Sequence, residues 1–196
     1  MMYAIVAGCS HTSGTGVEPK DVYVNLLANH YGFPVINYGV PGGNCHTVLK
    51  TVVDIVKQDN RPAFIIAQWP NFFRKTAWIG GKLTLQNINS SDESFKLLLS
   101  NGEENFYETW VDAVIVANLL CKLTNIPLIN ILFESIDQRY LDRLAVENIV
   151  LHHDEKLPNR TWFFDNGASD KQHHSPWCHS EWTKRLIGII DENTTR

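Results

Sequence analysis

The sequence has no long hydrophobic run and no block of basic residues. No apolar stretch approaches the roughly 20 residues that a helix needs to cross a bilayer, so we expect no membrane span. Lys and Arg total 17 against 21 Asp and Glu, which gives a formal net charge of −4. This charge offers no electrostatic support for binding nucleic acid or an anionic membrane surface. We therefore expect neither kind of partner.

Cysteine is also scarce and is not arranged in pairs. Cys9, Cys45, Cys121 and Cys178 form no CxxC motif and are too few for a disulfide scaffold. They are typical of reduced thiols. Because no charged segment with a long apolar core precedes the first apolar run, we expect no signal peptide and a cytoplasmic location. A phage-encoded or virion-associated protein is the alternative.

Short apolar runs alternate with segments of helical period, and 196 residues suit one domain with a sizeable core. This alternation predicts an α/β fold, with a mostly parallel sheet of about five strands covered by helices on both faces. The third strand is the most hydrophobic, so we expect it at the centre. The predicted strands are residues 4–7, 33–37, 63–67 and 127–133, with edge-strand material at 149–151 and 161–164. The predicted helices are residues 21–31, 45–58, 107–123 and 135–146, and a last one that Ser175 caps and Pro176 begins.

The regular pattern is interrupted between residues 72 and 106. Residues 78–85, with two glycines in the middle, predict a small hairpin, and residues 87–93 are polar. We interpret this segment as an insertion over the sheet and a candidate lid.

Polar groups that suit acyl transfer follow several of the predicted strands. Ser10 comes just after the first strand, and strand ends are where open α/β sheets place their chemistry. A serine needs a base to take its proton, and His173 with Asp170 three residues before it supplies an imidazole and a carboxylate to orient it. The Ser10 and Gly42 amides and the Asn71 side chain would donate hydrogen bonds to the oxyanion.

The residues alone leave several alternatives open. Asp165 is a rival to Asp170, and His174 and His179 are rivals to His173. His179 lies one turn into the last helix, so we interpret it as a packing or bracing residue. No HExxH or CxxC motif is present, so we predict no metal, although a metal-dependent hydrolase remains an alternative.

The chain resembles the SGNH (GDSL-like) hydrolase family in four short blocks, in the family's order and over nearly its whole length. Residues 8–14, Gly-Cys-Ser-His-Thr-Ser-Gly, resemble the nucleophile block, and residues 37–42, Asn-Tyr-Gly-Val-Pro-Gly, resemble the second. Asn71 lies in the third block, and Asp170-x-x-His173 resembles the fourth. The resemblance implies a flavodoxin-like three-layer α/β/α sandwich and ester hydrolysis without a cofactor. It also implies the roles given above for Ser10, Gly42, Asn71, Asp170 and His173.

Two residues depart from the family pattern. Cys9 stands where the first block has Asp, and Trp69 stands where the third block has Gly. The variant is most similar to family members from phages and marine bacteria, a likeness that says little about substrate.

We predict a serine hydrolase acting on a small-molecule or glycan ester, such as an acyl or acetyl ester. The alternative is a catalytically silent glycan- or partner-binding module on the same fold. The candidates for substrate contact are His11, Asn44, Trp69 and Arg74.

Overall fold

The computed structural model describes residues 1–71, 74–79, 82–87, 103–132, 149–151, 168–169 and 173–194. Within these ranges, strands and helices alternate as predicted. The strands are β1 (Ala4–Gly8), β2 (Val35–Gly39), β3 (Ile65–Trp69), β4 (Arg74–Ile79), β5 (Lys82–Asn87), β6 (Leu128–Leu132) and β7 (Ile149–Leu151). The helices are α1 (Ser10–Ser13), α2 (Tyr23–Tyr31), α3 (Cys45–Val56), α4 (Glu103–Leu123) and α5 (Pro176–Thr194), with a 3-10 turn at Pro19–Asp21.

Five strands form one sheet in the order β2-β1-β3-β6-β7, and every neighbouring pair is parallel. The central position of β3 is confirmed. When the β4–β5 hairpin is left aside, the order is the flavodoxin-like 2-1-3-4-5. Its carboxyl edge gathers the loops that follow β1, β2 and β3, which carry the candidate site residues.

Alternate residues of β1 face two separate cores. Ile5 and Ala7 pack with helices α3 and α4, whereas Ala4 and Val6 pack with α2 and α5. A strand whose two faces are both buried has to be apolar throughout, which explains the unbroken run at residues 4–7. The three-layer α/β/α sandwich is therefore confirmed.

Strands β2 and β3 each lie two residues later than predicted. The predicted third strand, residues 63–67, ended with the apolar run, before Gln68. In the structure Gln68 and Trp69 continue the strand and pair with Ile131 and Leu132 of β6. The side-chain oxygen of Gln68, Oε1, accepts a hydrogen bond from Thr12 Oγ1, which offsets the cost of burying it.

The hairpin predicted at residues 78–85 is confirmed and is longer, with β4 and β5 pairing antiparallel from Arg74↔Asn87 to Ile79↔Lys82. The N-cap of α5 is confirmed as well, since Ser175 Oγ accepts a 3.3 Å bond from the Cys178 amide. The predicted helix at 135–146 and strand at 161–164 lie outside the described residues. Among the described helices, none is both long and apolar enough to cross a membrane.

Candidate active site

Ser10 is the first residue of helix α1, which begins directly after strand β1. The backbone of Cys9 is extended and places the serine at the turn between the two elements. The amide of a first helical residue has no acceptor within its own helix, so the Ser10 N–H can bind an external oxygen. The Ser10 carbonyl is held by the amides of Gly14 and Thr15. These two hydrogen bonds therefore fix the position of the Ser10 carbonyl group.

This turn packs closely against strand β2. A side chain at Gly39 would overlap the backbone of Thr12 and Ser13, so glycine is required at that position. The Asn37 side chain donates a 2.8 Å bond to the Thr12 carbonyl and accepts a 2.8 Å bond from the Gly39 amide. Asn37 thus connects the second block to the turn that begins with Ser10, a role that its presence in the block alone did not reveal.

The loop after β2 is held against the end of β1. The Val40 amide donates a 3.0 Å bond to the Gly8 carbonyl, and the Gly43 amide donates a 2.8 Å bond to the Val40 carbonyl. Gly42 lies between them with φ at 76°, a left-handed conformation that favours glycine. Among the described residues, and apart from the two chain neighbours of Gly42, no heavy atom lies within 4 Å of where its side chain would start. The Gly42 backbone therefore has space beside it, as an oxyanion donor requires.

Asn71 follows strand β3, the neighbour of β1, and is half-buried. Its carbonyl accepts a 3.2 Å bond from the Arg74 amide, which begins the hairpin. Arg74 Nη1 in turn donates a 3.4 Å bond to the Gly43 carbonyl. The third-block loop, the hairpin and the second-block loop are therefore linked at one edge of the sheet.

The chain before helix α5 returns to the turn that begins with Ser10. The ring centroid of His173 lies 4.9 Å from that of His11, the residue after Ser10. His174 lies closer to His11, at 4.0 Å, and also contacts Trp182 at 6.0 Å. His174 is buried, whereas His173 is only half-buried. Of the two, His173 has the exposure that a group exchanging protons with a substrate needs.

Asp170 and its rival Asp165 lie outside the described residues. The nearby Ser169 does lie within them, and both its amide and its hydroxyl donate to the Gly16 carbonyl, at 2.9 and 3.3 Å. Ser169 is thereby attached to the loop that follows α1. The role of Asp170 stays a prediction.

Three of the four candidates for substrate contact are buried side chains. Trp69 is 0% exposed, lies in the core, and donates a 2.9 Å bond from Nε1 to Asn130 Oδ1. Asn44 is 2% exposed and caps helix α3 through the Thr47 amide. His11 is 4% exposed. Ser10 itself is only 5% exposed, so low exposure does not decide against these side chains. Substrate contact by His11, Asn44, Trp69 and the half-buried Arg74 stays a prediction.

The interpretation of His179 as a bracing residue is confirmed. Its Nδ1 accepts a 3.3 Å bond from the Tyr23 amide, and its ring stacks on the Tyr23 ring at 5.7 Å. Burial disfavours the imidazolium and lowers the pKa of His179 from 6.5 to about 4, although Asp21 acts in the opposite direction. His179 is therefore neutral in the folded protein at neutral pH.

We expect this buried histidine to make stability depend on pH. Between pH 6.5 and 4 the unfolded chain binds a proton at His179 that the folded chain does not, so stability falls as the pH is lowered through this window. At about 1.4 kcal/mol per pKa unit, the loss approaches 3 kcal/mol at pH 4. Urea unfolding of the wild type and of His179→Asn at several pH values measures it. The variant is expected to have the shallower slope over this window, and equal slopes would contradict the assignment.

Side chains that the sequence patterns did not single out also lie under the site. Gln68, Thr12 and Tyr23 are buried and hydrogen-bonded to one another in series. The signal that could have found them is a polar residue within an apolar strand, as at Gln68.

Among the described residues, no group of three or more His, Cys, Asp or Glu side chains could hold a metal ion.

No protein-family model and no curated protein sequence matches the chain. Solved structures do match it. The psychrotrophic esterase EstA from Pseudoalteromonas sp. superposes with a TM-score of 0.63 at 9% identity, covering 100% of both chains. A member of the lipolytic G-D-S-L family from Veillonella parvula gives 0.58 at 14% identity, covering 96% of this chain and 98% of that one.

A third match is a carbohydrate esterase, described as having an active site with divergent catalytic and non-catalytic binding functions. It gives a TM-score of 0.56 at 12% identity, covering 97% of this chain and 65% of that one. At such identities the likeness concerns the fold. The strand order, the two helical layers and these neighbours together show that the chain has the SGNH (GDSL-like) hydrolase fold.

Proposed function

We propose that the chain is a serine hydrolase that cleaves an ester through a covalent acyl-enzyme. The observation that carries the proposal is the contact between His173 and His11, since it joins a histidine from the end of the chain to the turn that begins with Ser10. A hydroxyl and an imidazole on neighbouring loops are the minimum that a serine nucleophile requires.

In the proposed reaction, Ser10 Oγ attacks the ester carbonyl while His173 takes its proton and Asp170 orients the imidazole. The carbonyl oxygen becomes an oxyanion that accepts hydrogen bonds from the Ser10 and Gly42 amides and the Asn71 side chain. His173 then gives its proton to the departing alkoxide, which leaves an acyl-Ser10 ester. Water, deprotonated by His173, releases the acid and restores Ser10. The chemistry needs no cofactor.

The substrate we propose is a small-molecule or glycan ester, of an acyl or acetyl group. Support comes from the neighbours, which include an esterase that monoethylphosphonate inhibits and a carbohydrate esterase. Arg74 bonds the Gly43 carbonyl beside the Gly42 amide. We assign its guanidinium to contact with the substrate at that edge.

The test is turnover of p-nitrophenyl acetate by the purified, folded wild type, together with covalent labelling by a fluorophosphonate. We expect turnover and stoichiometric labelling, both unaffected by a metal chelator. A folded chain that does neither would favour a silent binding module. Turnover abolished by the chelator would favour a metal-dependent hydrolase.

For the oxyanion, we expect Asn71→Ala to lower kcat about a hundredfold with little change in KM, because the lost amide acts on charge that develops only in the transition state. The Asn71 carbonyl that accepts from the Arg74 amide is retained in this variant. Steady-state kinetics measure the effect, with Asn29→Ala on the exposed surface of α2 as control. An Asn71→Ala enzyme as fast as the control would remove Asn71 from the oxyanion site.

A further inference from the structure

A series of buried hydrogen bonds lies directly under the turn that begins with Ser10. Thr12 Oγ1, on α1, donates to Gln68 Oε1 at the end of β3. The Tyr23 hydroxyl, on α2, lies 2.8 Å from the same Thr12 oxygen. The Tyr23 amide donates to His179 Nδ1 on α5. All four residues are at most 3% exposed, and they join four different elements.

The donors and acceptors in this series of hydrogen bonds allow only one arrangement of the Thr12 and Tyr23 hydroxyl protons. The side-chain oxygen of Gln68, Oε1, can only accept hydrogen bonds. It accepts one from Thr12 Oγ1 and one, at 3.8 Å, from Cys9 Sγ. The single Thr12 hydroxyl proton is therefore used, so Tyr23 has to donate its own. Burial raises the pKa of Tyr23, which keeps this phenol protonated. The two hydroxyl bonds, from Tyr23 to Thr12 and from Thr12 to Gln68, are therefore both directed toward Gln68.

Two further residues fit this arrangement. A side chain at Gly8 would overlap Thr12 and lie 2.9 Å from Gln68 Oε1, so glycine leaves the space in which the two meet. Cys9 stands where the resembled family has Asp, and its thiol shares the Gln68 oxygen with Thr12. Thr12 and Cys9 flank Ser10 and His11, so Gln68 is bonded on both sides of the nucleophile.

We propose that Gln68, Thr12 and Tyr23 are positioning residues that hold the turn carrying Ser10 in its reactive orientation. The inference rests on the proposed function and goes beyond it, because none of the three touches the reacting atoms. His179 extends the arrangement to helix α5, which follows His173 in the chain. The turn that carries Ser10 and the helix that follows His173 are thereby attached to the same set of hydrogen bonds.

The most direct test is Thr12→Val, which keeps the shape of the side chain and removes the hydroxyl. A displacement of about 1 Å at a catalytic group can cost about a hundredfold in rate, so we expect kcat and the rate of fluorophosphonate labelling to fall roughly ten- to hundredfold, with KM within about twofold. Thr12→Ser restores the hydroxyl and is expected to recover most of both rates. Thr51→Val is the matched control, because its hydroxyl donates to the Thr47 carbonyl on α3, away from the site.

A second variant covers the case in which Thr12→Val does not fold. Tyr23→Phe removes one donor and leaves the Thr12–Gln68 bond, so we expect a smaller fall, about three- to tenfold, in kcat and labelling rate. Folded variants as fast as Thr51→Val, a change confined to KM, or no recovery in Thr12→Ser would overturn the positioning role while leaving the hydrolase intact. A folded wild type with no turnover and no labelling would instead overturn the proposed function, and this inference with it.

Discussion

Ser10→Ala is expected to lower kcat for p-nitrophenyl acetate by at least about a thousandfold and to abolish fluorophosphonate labelling. The hydroxyl is the atom that forms the acyl bond, and the remaining oxyanion donors give only residual catalysis without it. The variant should fold, because alanine is a good helix former and the Ser10 carbonyl and amide remain. Thermal unfolding checks the fold, and Ser180→Ala, a half-buried position on α5, is the matched control.

Retention of wild-type turnover by folded Ser10→Ala would contradict this assignment. If that activity were also lost on chelation, the metal-dependent hydrolase would be the better account. If both proteins turned over the ester equally and slowly without a metal, the fold would be serving as a binding module.

His173→Ala is expected to have an effect of similar size on kcat, because without a base the Ser10 hydroxyl is a poor nucleophile. Fluorophosphonate labelling should slow in parallel, since the same proton has to be removed. His30→Ala, at an exposed position near the end of α2, is the control and should leave both rates unchanged.

His174, the residue next to His173, is expected to matter for stability and not for catalysis. His174 is buried between His11 and Trp182, so we expect His174→Asn to lower the free energy of unfolding while the folded protein keeps most of its kcat. The opposite result, a stable but inactive His174→Asn and an active His173→Ala, would exchange the two roles.

The fold was largely predictable from the sequence because parallel strands buried on both faces leave a strong pattern. Residues 4–7 and 63–67 are apolar without a break, and Ser175-Pro176 defines the start of α5 through local capping. The boundary of β3 was missed because the pattern cannot show that a distant threonine satisfies Gln68. Boundaries that depend on tertiary hydrogen bonds are not encoded in local periodicity.

The site was predicted less completely, for a related reason. The blocks placed Ser10, Gly42 and Asn71 after successive strands of the sheet, but the direction in which a side chain points depends on its partners. Trp69 has the same parity as Ile65 and Ala67, so it faces the core. The hydrogen bonds of Asn37 and Tyr23 with Thr12 on α1 arise only when elements distant in sequence meet.

The central claim is that Ser10 carries the acyl group, and mapping a covalent adduct tests it most directly. The folded wild type would be inactivated with a fluorophosphonate, digested, and sequenced by tandem mass spectrometry. The account predicts one adduct per chain, on Ser10, and none on Ser10→Ala. An adduct on another residue, or none on a wild type that still hydrolyses p-nitrophenyl acetate, would contradict it.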